Sequence, residues 1–313
     1  MRQTSPQILS PDSTGIVQAA RFLRDGALVA FPTETVYGLG ADACSGPAVA
    51  AIFDAKGRPS FNPLIVHLAQ SDWARRYADW SELAERVADR FWPGPLSLVL
   101  PLKSGHNLSP LVTAGLPSVA LRVPGHPTAQ RLLDEFGSPV AAPSANPSGR
   151  ISPTRADHVA MGLGNQVAAI VDDGPCSVGL ESTIIGLDGP PRLLRPGGIS
   201  HEELEHTLGQ KILPAQTGAI TAPGQMQSHY APRARVRLNA RSSKPGEVLL
   251  GFGPGKADLN LSATGDLREA AANLFEYLHK VDATGQPIAV ASIPDVGLGR
   301  AINDRLRRAA APR

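Results

Sequence analysis

Short apolar runs and amphipathic stretches alternate along the first two thirds of the chain. The apolar runs predict strands, because each is short and lies between segments rich in glycine, proline or hydroxyl groups. These runs cover residues 28–31, 64–68, 96–100, 119–123, 140–142, 168–171, 182–187 and 192–194. Apolar residues at helical spacing predict helices over residues 16–24, 47–56, 81–91, 127–136 and 155–162. Ser13 or Thr14 is predicted to cap the first helix, and Gly57 to end the second.

The order of these elements predicts an α/β fold. Several strands follow one another without an intervening helix, which favours a mixed sheet over a purely parallel one. Residues 214–232 are rich in Gly, Pro, Thr and Ala and have no period, so they are predicted to form a linker. Beyond it, strands over 248–252 and 288–292 and helices over 266–281 and 298–308 predict a small Rossmann-like domain with a parallel sheet. The chain is therefore divided into residues 1–213, the linker 214–232, and residues 233–313.

Composition narrows the class of protein. With 42% hydrophobic and 19% charged residues, the chain is globular rather than disordered. A formal net charge of +2 argues against a protein that binds nucleic acid with its whole surface. Cys44 and Cys176 have no metal-binding spacing and could form a disulfide or remain free thiols. The N-terminal residues have no apolar signal core and no run is long enough to span a membrane, so we expect a cytoplasmic protein without a membrane partner.

Polar side chains concentrate where the predicted strands end. The strand over 28–31 runs into PTETVYGLG (residues 32–40), where glycines and hydrogen-bonding groups allow close approach to a ligand. Sixteen residues further on come KGRP (56–59) and NPLIVH (62–67). Lys56 and Arg58 suit a polyphosphate, since they combine a point charge with a planar fork. The alternative is that the two cations only offset the dipole of a helix end.

Four further positions have both a binding and a structural interpretation. The loop SANPSG (144–149) can wrap a phosphate or form an ordinary Asx-turn. Arg122 lies inside an apolar strand, and either a substrate carboxylate or a buried salt bridge to Glu34 or Glu181 would satisfy it. His67 ends another strand and is either structural or functional. Arg195 is either a phosphate contact or a surface residue.

Several common catalytic motifs are missing from the sequence. There is no GxxxxGK[ST], no glycine fingerprint of a dinucleotide site, no HExxH and no GxSxG. Ser144 and Ser182 are therefore interpreted as binding hydroxyls rather than nucleophiles. The metal chemistry of a protein-held zinc is not expected either.

Six motifs in this order resemble the YrdC-like family. They are PTETVYGLG (32–40), KGRP (56–59), NPLIVH (62–67), SANPSG (144–149), STII (182–185) and RPGG (195–198). More closely, the chain resembles the long form of threonylcarbamoyl-AMP synthase, which carries an extra C-terminal domain, and the likeness extends over about residues 10–210. The resemblance implies a YrdC-like mixed twisted sheet with helices and a concave active-site cavity, followed by the small Rossmann-like domain.

The resemblance also implies an activity. Members of this family make threonylcarbamoyl-AMP and pyrophosphate from L-threonine, bicarbonate and ATP, the first step of threonylcarbamoyladenosine modification of tRNA, and Mg²⁺ would arrive with the ATP. Lys56 and Arg58 would be the catalytic residues. The threonine side would be lined by Thr35, His67, Arg122 and Ser182. The ATP side would be lined by Lys56, Arg58, Asn62, Ser118, Ser144, Asn146, Ser152 and Arg195, with Tyr230 of the linker over the nucleotide.

The linker and the basic residues near it complete the expectations. Residues 222–232 read APGQMQSHYAP, which keeps the HYAP of the family but lacks the basic residues that often precede it. We therefore predict a lid without cations, and the threonylcarbamoyl transferase machinery as partner. Contact with tRNA is a further hypothesis, resting on basic runs that solvated helix faces explain equally well: Arg233, Arg235, Arg237 and Arg241, then Arg300, Arg305, Arg307, Arg308 and Arg313.

Two other functions are alternatives for this sequence. One is a double-stranded RNA-binding module, with RNA held on a concave basic surface. The other is a carbamoyl-transfer domain of the hydrogenase-maturation type, but the tail lacks the zinc-finger cysteines of such proteins.

Overall fold

Two sheets organise the chain, whose computed structural model describes residues 5–215, 222–224 and 229–312. Over these residues the larger sheet has eleven strands, in the order β1-β8-β2-β3-β7-β4-β6-β5-β9-β10-β11. Parallel and antiparallel pairs lie side by side in it, which confirms the predicted mixed sheet. Its strands are β1 (Gln7–Leu9), β2 (Val29–Phe31), β3 (Gly38–Asp42), β4 (Ile65–His67), β5 (Leu96–Pro101), β6 (Ser118–Arg122), β7 (Val140–Ala141), β8 (Ala169–Val171), β9 (Thr183–Gly186), β10 (Arg192–Arg195) and β11 (Leu213–Pro214).

The helices that accompany this sheet include all five that were predicted. The first begins earlier than expected, because Asp12 rather than Ser13 or Thr14 caps it, its carboxylate accepting from the backbone N–H of Gly15 at 2.9 Å. Gly57 ends the second helix in the left-handed conformation, as predicted. The helices are α1 (Ser13–Arg24), α2 (Gly46–Lys56), α3 (Glu82–Phe91), α4 (Pro110–Thr113), α5 (Pro127–Phe136), α6 (Ala156–Leu163) and α7 (His201–Leu208), with 3₁₀ turns at Ser71–Arg76 and Gly164–Gln166.

Strand β3 was not predicted, because its glycines disfavour strands. It runs antiparallel to β2, with Gly38 opposite Phe31. A Cβ at Gly40 would lie 2.8 Å from the ring of Phe31, so this position needs glycine for the ring to pack against the strand. The motif 32–40 is thus a polar turn at the end of β2 followed by the antiparallel strand β3. The turn lies where these strands end, although both strands are inside the sheet.

Apolar side chains pack on both faces of the large sheet. Under α1 and α5 the buried side chains include Ile16, Leu23, Phe31, Leu132 and Phe136. The larger cluster on the other face includes Ile52, Val87, Leu98, Leu121 and Leu204. Burial of each side chain of this size stabilises the fold by about 1.5–3 kcal/mol. The two clusters therefore make the sheet a rigid support for the loops at the ends of its strands.

The C-terminal unit is built on the parallel sheet that was predicted. Its strands are β12 (Val236–Arg237), β13 (Val248–Gly251), β14 (Leu259–Asn260) and β15 (Ile288–Val290), in the order β12-β15-β13-β14, and every pair is parallel. Helices α8 (Leu267–Asp282) and α9 (Gly299–Ala309) lie between and after them. The two-residue strands β12 and β14 are too short to leave a periodic signal and were not predicted.

The two sheets are joined through a shared apolar junction. Val36 and Leu180 from the first unit belong to the same buried cluster as Leu274 and Phe275 of α8. A Cβ at Gly179 would lie 2.5 Å from the Cα of Ala272, so α8 approaches this loop more closely than any side chain allows. Both cysteines are free thiols. Within the described ranges, no helix has the length and hydropathy that a bilayer crossing requires.

Two histidines stack across this junction. The rings of His158 on α6 and His279 on α8 have centroids 3.9 Å apart and are inclined by 21°. Burial, and then the neighbouring His158, lowers the pKa of His279 to about 4. Other groups that face the pair are Glu276 and the carbonyl of Ser152, with Arg155, Asp157, Lys280 and Asp282 further out. Protonation of either ring would place a positive charge against its neighbour.

Acid should therefore weaken the junction, and His279→Gln should reduce this effect. Between pH 6.5 and about pH 4 the unfolded chain binds a proton at His279 that the folded chain does not, so stability falls as the pH falls through this window. The loss amounts to at most roughly 3 kcal/mol. We expect the Tm of His279→Gln to drop less than that of the wild type between pH 7.5 and pH 4.5.

His206→Gln, an exposed histidine on α7, serves as the matched control. His67 and His229, whose pKa values burial lowers to about 3, affect the wild type and both variants equally. Parallel curves of Tm against pH for the wild type and His279→Gln would show that the stacked pair does not sense acid.

Candidate active site

A cavity of about 50 Å³ lies where the ends of β2, β4, β6, β7 and β10 meet the start of β9. Strands that end together bring side chains that are distant in sequence onto one edge of the sheet. A cavity of this volume can hold a few water molecules, since one water needs at least roughly 10–15 Å³. Of the residues predicted to bind substrates, those that line the cavity are Thr35, Arg58, His67, Arg122, Ser144, Ser182, Arg195 and Tyr230.

Arg122 and His67 form the centre of the predicted threonine side. They are register partners on the neighbouring parallel strands β4 and β6. Arg122 Nη2 donates to Glu34 Oε1 at 2.6 Å, and Arg122 Nε donates to the carbonyl of Gly94 at 3.2 Å. The structural alternative for Arg122 is thus realised with Glu34 and not with Glu181, while Arg122 also lines the cavity.

His67 is a neutral group in this site. Burial, and then the charge of Arg122, lowers the pKa of His67 to about 3. Within the described residues, its Nδ1 has no hydrogen-bond partner. A buried neutral nitrogen of this kind can accept or donate one hydrogen bond to a small ligand.

Hydroxyl groups on both sides of this pair are held in place by one another. Thr35 Oγ1 lies 2.8 Å from Thr33 Oγ1, which donates to the carbonyl of Val36. Ser182 Oγ lies 2.7 Å from Ser97 Oγ. The site therefore offers a set of fixed donors and acceptors. Among the described residues, none of these hydroxyls is paired with a base that would make it a nucleophile.

Three cations on the predicted ATP side bind backbone carbonyls. Lys56 Nζ donates to the carbonyls of Ser144, at 2.6 Å, and Asn146. Arg58 donates to the carbonyls of Asn62 and Pro63 at 3.2 and 2.8 Å, and Arg195 Nη2 to that of Ser182 at 3.0 Å. In the part of the chain that the structure describes, no carboxylate forms an ion pair with Lys56, Arg58 or Arg195.

Burial makes these positive charges unfavourable until an anion arrives. Burial, and then the charge of Arg58, lowers the pKa of Lys56 well below its usual value. Burial, followed by Arg195, likewise lowers the pKa of Arg58 to about 10. Four cations, Lys56, Arg58, Arg122 and Arg195, are buried in this region, as are two carboxylates, Glu34 and Glu181. An anionic ligand with several oxygens would correct this imbalance.

The other predicted ATP-side residues lie at varying distances from the cavity. Ser152 Oγ donates to Glu181 Oε1 at 2.6 Å and so acts behind the lining. Asn146 Nδ2 donates to the carbonyls of Pro147 and Arg150, which shapes the loop 144–150. Ser118 begins β6, four residues or about 13 Å from Arg122 at its other end. Among the described residues that line the cavity, Ser118 is not included.

The described parts of the linker close one side of the cavity. Pro223, Gly224, His229 and Tyr230 all line it. Tyr230 is buried, has a positive φ of 60°, and its ring lies 5.5 Å from that of Phe275 on α8. A Cβ at Gly224 would lie 3.0 Å from Tyr230 Oη. Residues 216–221 and 225–228 of the predicted lid lie outside the described residues, so its movement stays a prediction.

Sequence reasoning missed two residues of the site and misjudged a third. Thr33 and His229 were not singled out, although both lie beside recognised motifs. Arg305 was assigned to a basic run for which solvated helix faces were an adequate explanation, but its side chain is completely buried. The available signal was its position on α9, since Arg305 shares a face with the buried residues Ala301, Ile302, Leu306 and Ala309.

Comparison with known proteins agrees with this architecture. A family model described as "Telomere recombination" (Sua5, YciO and YrdC) matches residues 21–197, and one described as "Threonylcarbamoyl-AMP synthase, C-terminal domain" matches residues 199–311. Threonylcarbamoyl-AMP synthase of Bacillus subtilis is 44% identical over 97% of this chain and 95% of its own length. The enzyme of the same name from Pyrococcus abyssi is 43% identical over 93% of this chain and 92% of its own.

A crystal structure of P. abyssi Sua5 complexed with L-threonine superposes with a TM-score of 0.89 at 39% identity, covering 98% of each chain. Escherichia coli YciO, at 22% identity and a TM-score of 0.55 over 61% of this chain and 94% of its own, shares the fold of the first unit. The fold that carries the cavity is thus shared with these relatives over almost the whole length of the chain. The chain belongs to the threonylcarbamoyl-AMP synthase family.

Proposed function

We propose that the protein is an L-threonylcarbamoyladenylate synthase, a nucleotidyltransferase that forms threonylcarbamoyl-AMP and pyrophosphate from L-threonine, bicarbonate and ATP. The observation that carries the proposal is the buried excess of positive charge, in which Lys56, Arg58 and Arg195 donate to backbone carbonyls and one hydroxyl but to no carboxylate among the described residues. Phosphate oxygens are the partners that such groups require. The relative bound to L-threonine supports the amino-acid half of the proposal.

The residues fit an in-line transfer. Threonine and bicarbonate form the N-carboxylate with loss of water, and one of its oxygens attacks the α-phosphorus of ATP. The new phosphorus–oxygen bond forms as the bond to pyrophosphate breaks, and pyrophosphate leaves with its electron pair. Lys56, Arg58 and Arg195 stabilise the charge on the phosphate oxygens, while Arg122 and His67 orient threonine. No covalent enzyme intermediate is needed.

Magnesium enters this scheme as part of the substrate. We propose that ATP arrives as its Mg²⁺ complex, because Mg²⁺ is usually held by substrate phosphates and water together with one or two carboxylates. Among the described residues no group of three or more His, Cys, Asp or Glu is arranged to hold a metal ion by itself. Among the described residues, Glu181 is the carboxylate that lines the cavity, and Glu34 pairs with Arg122, which also lines it. Each of the two carboxylates is already engaged by an arginine.

The test is the release of pyrophosphate from ATP by the purified protein. We expect release to require both threonine and bicarbonate, and the product to carry the mass of threonylcarbamoyl-AMP. Release that is unchanged when threonine is omitted would contradict the proposal. Tight binding of double-stranded RNA without any adenylation would favour the RNA-binding module instead.

The labile product must be passed on. We propose that the transferase that modifies tRNA takes up the adenylate, and that this step belongs to the synthesis of threonylcarbamoyladenosine. Direct contact with tRNA remains a separate hypothesis, and it now excludes Arg305 because that side chain is buried.

A further inference from the structure

The C-terminal unit sends one charged side chain into the wall of the active site. Arg305 on α9 is completely buried, and its Nε donates to Glu181 Oε2 at 3.0 Å. Its Nη1 donates to the carbonyl of Pro196 at 2.7 Å and to Asp304 Oδ2 at 3.0 Å. The first two contacts cross from the second sheet unit to the first, so the guanidinium joins the two at the cavity.

The two acceptors in the first unit flank residues that face the cavity. Glu181 precedes Ser182, and Pro196 follows Arg195. Arg195 Nη2 in turn donates to both the carbonyl and the Oγ of Ser182, at 3.0 and 3.1 Å. One guanidinium therefore fixes both ends of the Ser182–Arg195 contact, which lies on the predicted ATP side.

Arg305 also decides which cation the Glu181 carboxylate neutralises. Burial raises the pKa of Glu181, but the charges of Arg305 and then Arg195, with the hydrogen bond from Ser152, outweigh it and lower the pKa overall. Without Arg305, this buried carboxylate would still interact with the positive charges of Arg195 and Lys56. An ion pair of Glu181 with either Arg195 or Lys56 would neutralise a cation that is needed to bind phosphate.

The same guanidinium supports the linker. Its Cζ lies 5.2 Å from the centre of the Tyr230 ring, a distance typical of a cation–π contact. Tyr230 Oη points into the cavity wall beside Gly224. Arg305 therefore contacts three parts of the same site: the carboxylate of Glu181, the carbonyl of Pro196 next to Arg195, and the ring of Tyr230. A salt bridge that served only to join the two units would not require all three contacts.

We propose that Arg305 is a positioning residue for the nucleotide: it holds Glu181 away from Arg195 and Lys56, so that these cations stay available for the phosphates of ATP. The inference rests on the proposed function, since it takes ATP as the ligand of this side. It predicts that removing Arg305 impairs ATP binding much more than threonine binding, and that the defect depends on the negative charge of Glu181.

The experiment compares Arg305→Met, Glu181→Gln and the double variant with the wild type. ATP affinity is measured by calorimetry and the KM values by pyrophosphate release. We expect Arg305→Met to raise the Kd of ATP about tenfold or more, the scale of one lost charged hydrogen bond. The KM of threonine should change little. In the Glu181→Gln background, adding Arg305→Met should have almost no further effect on the Kd of ATP. The single variant Arg305→Lys, which keeps the positive charge, should bind ATP more tightly than Arg305→Met.

Arg300→Met is the matched control, because Arg300 lies on the same helix and pairs across to Glu202 at 2.9 Å, but both side chains are exposed. It should leave the Kd of ATP unchanged. An Arg305→Met protein that binds ATP like the wild type, or loses both substrates equally with a lowered Tm, would reduce Arg305 to a structural ion pair. If Arg305→Met does not fold, the double variant and Arg305→Lys decide by the same measurements. A wild type that binds no ATP would instead overturn the proposed function, and this inference with it.

Discussion

Replacing Lys56 by alanine should lower kcat about a hundredfold or more, the loss typical when one donor to a charged transition state is removed. Lys56 Nζ lies at the end of α2, buried, between the carbonyls of Ser144 and Asn146. Its pKa is lowered by burial, so the ammonium is most favourable when a phosphate approaches. Charge that grows on the leaving pyrophosphate should therefore gain more from Lys56 than ATP in its ground state does. Arg58→Ala should have a similar effect.

Lys103→Ala is the control for Lys56→Ala, because Lys103 Nζ also donates to a backbone carbonyl, that of Arg75 at 3.0 Å, but on an exposed surface. It should leave kcat unchanged. If alanine at position 56 destabilises the loop 144–146, Lys56→Met keeps most of the side-chain volume and should still lose the activity. A nearly normal kcat in a folded Lys56→Met protein would assign Lys56 to tethering the loop alone.

The sequence was sufficient to predict which polar segments meet. His67, Ser144 and Arg195 each follow or end a predicted strand, and the ends of neighbouring strands converge in a sheet of this class. Arg58 follows the end of a predicted helix instead, and it too lines the cavity. The mixed character of the sheet also followed from the order of elements. These features depend on local pattern, which a single sequence carries.

The partner of Arg122 could not be chosen from the sequence. Glu34 and Glu181 were both open, and the choice depends on which loops the strand order brings beside the end of β6. Glu34 belongs to the turn after β2, while Glu181 is taken by Arg305 from another unit. Long-range pairing of this kind has no local signature.

The burial of Arg305 was partly visible. An arginine in a basic run near the end of a chain is usually solvated, and the prediction followed that general expectation. It did not use the helical spacing of the apolar residues in α9. The period alone would have placed Arg305 beside Ile302 and Leu306. What the period could not supply is the reason for a buried charge, because Glu181 lies more than a hundred residues away.

Arg122→Ala should raise the KM of threonine roughly thirtyfold or more, because losing a buried charge-assisted contact costs about 2–5 kcal/mol. The KM of ATP should change much less. Arg122 lines the cavity next to His67, and a planar guanidinium suits a carboxylate. The competing explanation is that Arg122 serves only the ion pair with Glu34, whose two side chains are 4% and 11% exposed. Removing Arg122 would then leave a buried carboxylate without a partner and lower stability, with no specific effect on threonine.

The Glu34→Gln background separates the two explanations, whatever role Glu34 has itself. With the carboxylate gone, removing Arg122 no longer strands a buried charge, so the double variant should regain a Tm close to that of Glu34→Gln alone. If Arg122 binds threonine, the double variant should still show the large rise in the KM of threonine relative to Glu34→Gln, since the substrate carboxylate has lost its partner. A rise that disappears in this background would mean that the ion pair acts on threonine only through the fold. The site would then have to hold the carboxylate of threonine with the hydroxyls of Thr35 and Ser182 and the imidazole of His67.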